Sequence, residues 1–209
     1  MFSKTRVCIL VIILFHVVGL AGFFIPAATP LFLRLVPFHL LLMLVIVIIS
    51  HYRPDEKFFG FALLLFVLGF TIEWIGVHKH WLFGNYMYGN TLGTKLFGIP
   101  LTIGVNWFVL VYATGVLMKR TRLKSTLARI LTGAVVLVLL DLLLEPVAIK
   151  FGYWSWANGT PPLKNYICWF GASAVFLYIF ELFKFKQQSI VTPILLLIQF
   201  VFFALLWLA

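Results

Sequence analysis

Long apolar runs separated by short polar segments make up most of the chain. Seven runs approach or exceed the roughly 20 residues that an α-helix needs to cross the hydrocarbon layer of a membrane, and they cover residues 7–25, 31–50, 58–77, 96–118, 126–149, 166–183 and 190–209. The segments between them are too short to hold a separate soluble domain. The pattern predicts an all-α integral membrane protein with about seven transmembrane helices, in a single domain over residues 1–209.

The first apolar run follows Lys4 and Arg6 and ends near Ala27 and Ala28, as the apolar part of a secretory signal does. A signal peptide has a shorter apolar core, and Pro26 stands where a small residue is expected before the cleavage site. A retained first helix is therefore favoured.

Composition supports the same class of protein, because 63% of the 209 residues are hydrophobic and only 11% are charged, unlike a soluble domain. The net charge of +10 raises the question of nucleic-acid binding. The basic residues, however, lie in short loops and form no cluster that could follow a phosphate backbone. We expect no nucleic-acid partner.

The basic residues are distributed unevenly between the two ends of the predicted bundle. Eleven of the 16 Lys and Arg residues fall at the end that carries the N-terminus, namely Lys4, Arg6, Arg53, Lys57, Lys119, Arg120, Arg122, Lys124, Arg129, Lys184 and Lys186. By the positive-inside rule, this bias predicts a multi-pass protein of the cell membrane with a cytoplasmic N-terminus and an external C-terminus. The loops at 78–95 and 150–165 would then face outward.

An internal repeat relates two segments, 73–90 and 141–158, without gaps at an offset of 68 residues. Each begins with an acid, Glu73 or Asp141, and continues after nine residues as Phe-Gly-x-aromatic-x-aromatic-x-Asn. The paired aromatic residues are Tyr86 and Tyr88 in one copy and Trp154 and Trp156 in the other. The match predicts a parallel repeat of helix pairs, helices 3–4 and 5–6, with the two aromatic loops meeting at one site. An aromatic belt at the membrane interface would explain the aromatic residues but not the matched acids.

Three of the six acidic residues, Glu73, Asp141 and Glu145, fall within predicted membrane spans. An ionised carboxylate there costs about 2.5–3.5 kcal/mol even on the lenient insertion scale. Asp141 and Glu145 are four residues apart and share one helix face. A buried carboxyl group that keeps its proton can act as a general acid, which makes the three acids candidate catalytic residues. The structural alternative is that they hold helices together by hydrogen bonds to Asn85, Asn106 or tyrosine hydroxyl groups.

The histidines are weaker candidates for functional residues than the acids. His78 and His80 are two residues apart and no carboxylate motif completes a metal site around them, so no metal is expected. His16 and His39 fall in the middle of helices 1 and 2, where we expect packed polar residues that can pair with each other.

Several ordered motifs make the chain similar to the CruF-type carotenoid hydratases. They are EWIG at 73–76, GNYMYG at 84–89, KLFGIPL at 95–101, NW at 106–107, DLLLEPVA at 141–148, GYWSW at 152–156 and NY at 165–166. The resemblance covers about residues 55–180. It implies addition of water to the terminal carbon–carbon double bond of an acyclic carotenoid, which gives a tertiary alcohol and needs no cofactor. The implied partners are a carotenoid in the bilayer, water and other enzymes of carotenoid biosynthesis.

Roles can be assigned on the basis of this resemblance. Asp141 or Glu73 would donate the proton, while Glu145 and Asn106 would orient water. Tyr86, Tyr88, Trp154 and Trp156 would line a pocket for the developing cation, whose charge aromatic faces stabilise. The further candidates for contact with the substrate are Trp74, His78, Asn85, Trp107 and Asn165.

Two other functions compete with hydration. A membrane carotenoid cyclase of the lycopene type would use the same proton donor but exclude water from the cation. A small proton-coupled transporter would also place buried acids between repeats, although transporter repeats are usually inverted. An isoprenoid-diphosphate transferase would need aspartate-rich magnesium motifs on two helices, and the chain has none.

Overall fold

The computed structural model describes residues 3–208 and contains seven α-helices in that range. They are α1 (Lys4–Phe24), α2 (Thr29–Ser50), α3 (Glu56–Lys79), α4 (Leu101–Arg120), α5 (Thr126–Lys150), α6 (Leu163–Leu182) and α7 (Val191–Leu206). Helices α1–α6 are long and apolar enough to cross a membrane, whereas α7 has 16 residues. The all-α membrane class is confirmed. Residues 1, 2 and 209, which the predicted domain and the predicted seventh helix include, lie outside the described residues.

Polar residues before the apolar runs set several helix starts. The side chain of Asp55 accepts a hydrogen bond from the backbone N–H of Phe58 and so caps α3, and Ser125 caps α5 in the same way through Ala128. Such caps satisfy backbone donors that have no partner within the helix.

Helix α4 begins five residues later than the apolar run predicts. Residues 95–100 form a hairpin of two short strands, β2 (Lys95–Leu96) and β3 (Ile99–Pro100). Phe97 and Gly98 between them have positive φ, which is incompatible with a right-handed helix. The expected span of 96–118 is therefore wrong at its start, because hydropathy alone does not report a turn.

The other two strands form the sheet that positions the candidate site. β1 (Tyr86–Tyr88) follows α3, β4 (Trp154–Trp156) follows α5, and they pair antiparallel with Tyr86 opposite Trp156 and Tyr88 opposite Trp154. The expectation that the two aromatic loops meet is confirmed. We refer to the end of the bundle that carries this β1–β4 sheet as the strand end.

Helix α4 occupies the centre of the bundle, where it is buried on most of its surface and contacts α2, α3, α5, α6 and α7. The closest helix pairs include α3 with α4 and α5 with α6. This pairing agrees with the predicted repeat, but successive helices usually pack side by side in any bundle. The repeat of helix pairs stays a prediction.

The opposite end of the bundle is joined by ion pairs. The side chain of Glu181 of α6 is only 10% exposed. It pairs with Lys119 of α4 at 2.5 Å and with Arg129 of α5 at 2.8 Å. The three helices are thereby connected at the end far from the strands.

Candidate active site

Three carboxyl groups are buried near the strand end. Glu73 of α3 is 5% exposed, and Asp141 and Glu145 of α5 are each 2% exposed. Within residues 3–208 none of the three forms a salt bridge. Buried charge without a counter-ion is costly, so the hydrogen bonds around each acid decide what it can do.

Glu73 accepts hydrogen bonds at both carboxyl oxygens. The hydroxyl groups of Tyr86 and Tyr88 donate to Oε2 at 2.6 and 2.7 Å. Trp107 Nε1 of α4 donates to Oε1 at 2.9 Å. Trp107 is itself fixed by a stacked contact with Trp169 of α6, with 4.3 Å between ring centroids. Glu73 thus joins α3, α4 and the sheet.

Two glycines on the same face of α3 make room for these donors. Gly69 precedes Glu73 by four residues and Gly76 follows it by three, so all three point in one direction. A Cβ atom at Gly69 would lie 2.6 Å from Cβ of Trp107, and one at Gly76 would lie 2.6 Å from the hydroxyl oxygen of Tyr86. Both distances are shorter than a Cβ atom keeps from other heavy atoms, so glycine at each position lets the donors reach Glu73 without a shift.

Both tyrosines of β1 remain hydrogen-bond donors. Burial, together with the charge of nearby Glu73, raises the pKa of Tyr86 and the pKa of Tyr88 well above the usual value for a phenol. Neither hydroxyl therefore ionises near neutral pH, and both present an O–H group to Glu73.

Glu145 takes the place that the sequence repeat assigns to Asp141. The indole nitrogens of Trp154 and Trp156 donate to Oε2 of Glu145 at 3.0 and 2.8 Å. The repeat pairs Glu73 with Asp141, but the tryptophans of the second copy bind the acid one helical turn further along α5. Because Asp141 and Glu145 share one helix face, spacing alone does not decide between them.

The β1–β4 sheet brings the two sets of donors together. The rings of Tyr86 and Trp156 have centroids 5.0 Å apart, and those of Tyr88 and Trp154 are 6.0 Å apart. Backbone N–H of Gly89 donates to the carbonyl oxygen of Tyr153 at 2.8 Å and extends the contact between the loops. The two acids and four aromatic side chains therefore form one cluster.

Asp141 differs from the other two acids in its hydrogen bonding. Asn165 Nδ2 of α6 donates to Asp141 Oδ2 at 2.8 Å and to Glu145 Oε1 at 3.2 Å, so it bridges the two carboxyl groups. Asp141 Oδ1 is buried and has no hydrogen-bond partner among the described residues. It is the one carboxyl oxygen of the three acids that accepts no hydrogen bond from these residues.

A mostly apolar cavity of about 300 Å³ lies beside this cluster, between α1, α2, α4, α5 and α7. Trp154, Asn106, Leu140 and Leu144 line it on the side of the acids; the last two directly precede Asp141 and Glu145 on α5. Phe38 lines it on the other side and is 67% exposed, so the cavity reaches the outer surface of the bundle. We call this space the α1–α2 cavity.

A second, more open cavity of about 730 Å³ lies between α5, α6 and α7. Glu145, Pro146 and Leu143 of α5 line it together with Tyr166 of α6 and Trp207. Glu145 therefore borders this second cavity, while its hydrogen-bond donor Trp154 borders the α1–α2 cavity.

Not every candidate residue joins the cluster. Asn85 is exposed, and its contact with the second loop is made by its backbone oxygen, which accepts from Ala157. Trp74 stacks on His78 one turn later on α3, with 5.0 Å between centroids, and His78 is exposed. Neither is brought to the acids by a hydrogen bond within residues 3–208. Asn106 lines the α1–α2 cavity, but among the described residues it makes no hydrogen bond to the acids.

Sequence reasoning missed two parts of the site. Lys95 Nζ donates to the backbone oxygen of Tyr88 at 2.8 Å and to Oδ1 of Asn90 at 3.0 Å, which holds β1 in place. Gln199 of α7 lines the α1–α2 cavity. A signal was available for Gln199, since it is a polar residue inside the predicted span of 190–209.

Comparisons with known proteins agree with the motifs. The chain is 31% identical over 160 aligned residues to bisanhydrobacterioruberin hydratase of Haloarcula japonica, an alignment that covers 71% of this chain and 54% of that protein. The chain spans about half the length of this curated relative. No solved structure matches the chain. The model of one protein family, described as carotenoid biosynthesis protein, matches residues 32–209. The resemblance to the CruF-type hydratases is thus confirmed at the level of the family, and the chain belongs to the carotenoid biosynthesis protein family.

Proposed function

We propose that this protein adds water to the terminal carbon–carbon double bond of an acyclic carotenoid end group and so forms a tertiary alcohol. The family and the name of the hydratase relative support the substrate class and the reaction. The observation that carries the mechanism is the unoccupied Oδ1 of Asp141, in a cluster whose other five carboxyl oxygens accept hydrogen bonds.

Asp141 is the proton donor in this proposal. The indole N–H groups that face Glu145 Oε2 are donors only, so they could not accept a hydrogen bond from a proton on that oxygen. Glu73 accepts hydrogen bonds at both of its carboxyl oxygens. Asp141 does not itself line the α1–α2 cavity, so the proposal requires the end group to reach past Leu140 and Leu144 of the cavity wall. A proton on Asp141 Oδ1 has no acceptor among the described residues and is the one available to an alkene there. It adds to the less substituted alkene carbon, and the tertiary cation forms on the neighbouring carbon.

Water then captures the cation. The oxygen of one water molecule bonds to the tertiary carbon, and one of its protons returns to the carboxylate of Asp141, directly or through the hydrogen-bonded cluster. Overall, one alkene and one water molecule give one alcohol, and the acid is regenerated. Asn106 in the cavity wall is the group proposed to orient this water.

Aromatic faces stabilise the cation before capture. Trp154 lines the α1–α2 cavity while its N–H is bound to Glu145, so its ring is held in one orientation. A cation over the face of a desolvated indole gains about 2 kcal/mol or more.

The end group would bind in the α1–α2 cavity and the rest of the polyene would extend into lipid between α1 and α2. The cavity is too small for a whole carotenoid, which suits an enzyme that handles one end group at a time. The positive-inside bias favours an external location for the strand end, in which case water would reach the cluster from that side.

The test is turnover by the purified protein in detergent, with an acyclic carotenoid and no membrane gradient. We expect a product heavier by one water, with the oxygen derived from ¹⁸O-labelled water. A cyclised product of unchanged mass would favour the cyclase. No conversion of any polyene, together with gradient-dependent uptake in vesicles, would favour the transporter.

The choice of cavity can be tested with two neighbouring residues of α5. Leu144 lines the α1–α2 cavity and Leu143 lines the second cavity. Leu144→Phe should raise KM for the carotenoid because the ring fills the binding space, whereas the matched control Leu143→Phe should not. The reverse result would move the substrate to the second cavity.

A further inference from the structure

Besides Asn106, three polar side chains line the α1–α2 cavity on helices that carry none of the three acids. They are His16 of α1, His39 of α2 and Gln199 of α7. Polar groups inside an apolar bundle are costly unless each has a hydrogen-bond partner. The mechanism proposed above uses none of them, so their presence in the cavity wall calls for a separate reason.

Their capacity for hydrogen bonds is only partly used. His16 Nδ1 lies 2.8 Å from the carbonyl oxygen of Ile12 and must donate to it, which leaves Nε2 of the neutral ring as an acceptor. The ring of His39 packs edge-on against His16, with 4.7 Å between centroids, as expected for a pair. Gln199 is 93% buried, and its Oε1 has no hydrogen-bond partner within residues 3–208.

The chemistry of the wall restricts what could occupy this position. The residues that line the cavity include no Asp, Glu, Lys or Arg, so a charged ligand would have no counter-ion. A hydroxyl group is neutral and can donate to an amide oxygen or an imidazole nitrogen while it accepts from an amide N–H. If the hydroxyl group donates its one hydrogen to Oε1 of Gln199, its oxygen can still accept from the ring N–H of His39, so one hydroxyl group can pair with both residues.

We infer that His16, His39 and Gln199 form a subsite for one neutral hydroxyl group inside the carotenoid-binding cavity. The inference rests on the proposed function, because the same cavity would hold the polyene. The hydroxyl group can come from two sources: the water that hydration consumes, or an alcohol group already present on the isoprenoid chain.

Two variants remove the polar groups at nearly constant size. Gln199→Met deletes the amide and His39→Phe deletes the ring nitrogens. Leu110→Met is the matched control, because Leu110 lines the same cavity and the change leaves the wall apolar. Without ligand, Gln199→Met should keep or raise the melting temperature, since it removes a buried acceptor that lacks a partner. If Gln199 held helices together, Gln199→Met would instead lower the melting temperature.

Binding is measured first, because it needs no turnover. Melting temperatures of the detergent-purified proteins are compared with geranylgeraniol and with the hydrocarbon of the same skeleton. If the chain supplies the hydroxyl group, the alcohol stabilises wild type and Leu110→Met more than the hydrocarbon does, and Gln199→Met and His39→Phe lose this difference.

Turnover of an acyclic hydrocarbon carotenoid, which has no hydroxyl group of its own, tests water as the source. If water occupies the subsite, kcat of Gln199→Met and His39→Phe falls about 10-fold below that of Leu110→Met, the scale of one hydrogen bond, with no matching rise in KM. The inference is overturned if both variants behave like Leu110→Met in binding and turnover. A wild type that hydrates no polyene refutes the proposed function, and the binding comparison then decides the subsite alone.

Discussion

Tyr86 and Trp156 are directly opposite each other in the β1–β4 sheet, with ring centroids 5.0 Å apart, and each binds a different buried acid. Tyr86 donates to Glu73 of α3, and Trp156 donates to Glu145 of α5. A short sheet of three residue pairs thus couples the ends of α3 and α5, which are separated along the chain by the whole of α4. Movement of either loop would disturb the donors of both acids.

Glu73 should be essential for the fold as well as for the site. Glu73→Leu leaves Tyr86, Tyr88 and Trp107 without their shared acceptor, and each buried unpaired donor costs about 1–3 kcal/mol. We expect loss of most of the folded protein, measured by size-exclusion yield and melting temperature. Glu73→Gln is the control, because its amide oxygen can still accept; a melting temperature for Glu73→Leu equal to that of the control would contradict this role.

Gly76 should control the position of Tyr86. In Gly76→Ala the new Cβ atom would lie 2.6 Å from the hydroxyl oxygen of Tyr86, so the ring must move away from Glu73. We expect turnover to fall roughly 10-fold or more, the scale of a displaced catalytic contact. Gly60→Ala on the same helix meets no atom within 4 Å and serves as the control. Equal turnover of the two variants would show that Tyr86 tolerates the shift.

The sequence was sufficient to find the acids because each is a charged residue within an apolar run. It also placed the aromatic loops together, since matched segments after parallel helices end at the same level. It could not choose between Asp141 and Glu145 as the partner of the tryptophans, because residues four apart share one helix face and only the path of the loop after α5 decides which one the indoles reach.

Contacts that depend on helix packing could not be predicted. The bond from Trp107 to Glu73 requires α4 to lie against the glycine face of α3, and the bridge by Asn165 requires α6 to pack on α5. Neither donor carries a charge that would mark it in the sequence. The grouping of His16 with Gln199 likewise arises only where α7 packs on α1.

The charge bias predicts opposite locations for two points of the chain. A reporter fused after Lys124, in the connection between α4 and α5, should be cytoplasmic, and one fused at Ala209 should be external. Alkaline phosphatase and green fluorescent protein fusions would report the two sides. Since α7 has only 16 residues, the informative failure is a cytoplasmic signal from both fusions, which would mean that α7 does not cross the membrane.

The proton donor can be identified by a matched pair of substitutions. Asp141→Asn keeps the size of the side chain, and its amide oxygen can still accept from Asn165, so the fold and the melting temperature should be preserved. It cannot donate a carboxyl proton, and turnover should fall by about 100-fold or more, the usual scale of general acid catalysis. Glu73→Gln, which leaves Asp141 intact, should retain more activity. In heavy water, wild-type product should carry deuterium on the carbon next to the new alcohol carbon, because that proton comes from an exchangeable carboxyl group. If well-folded Asp141→Asn hydrates the carotenoid at nearly the wild-type rate while Glu73→Gln does not, the donor is Glu73.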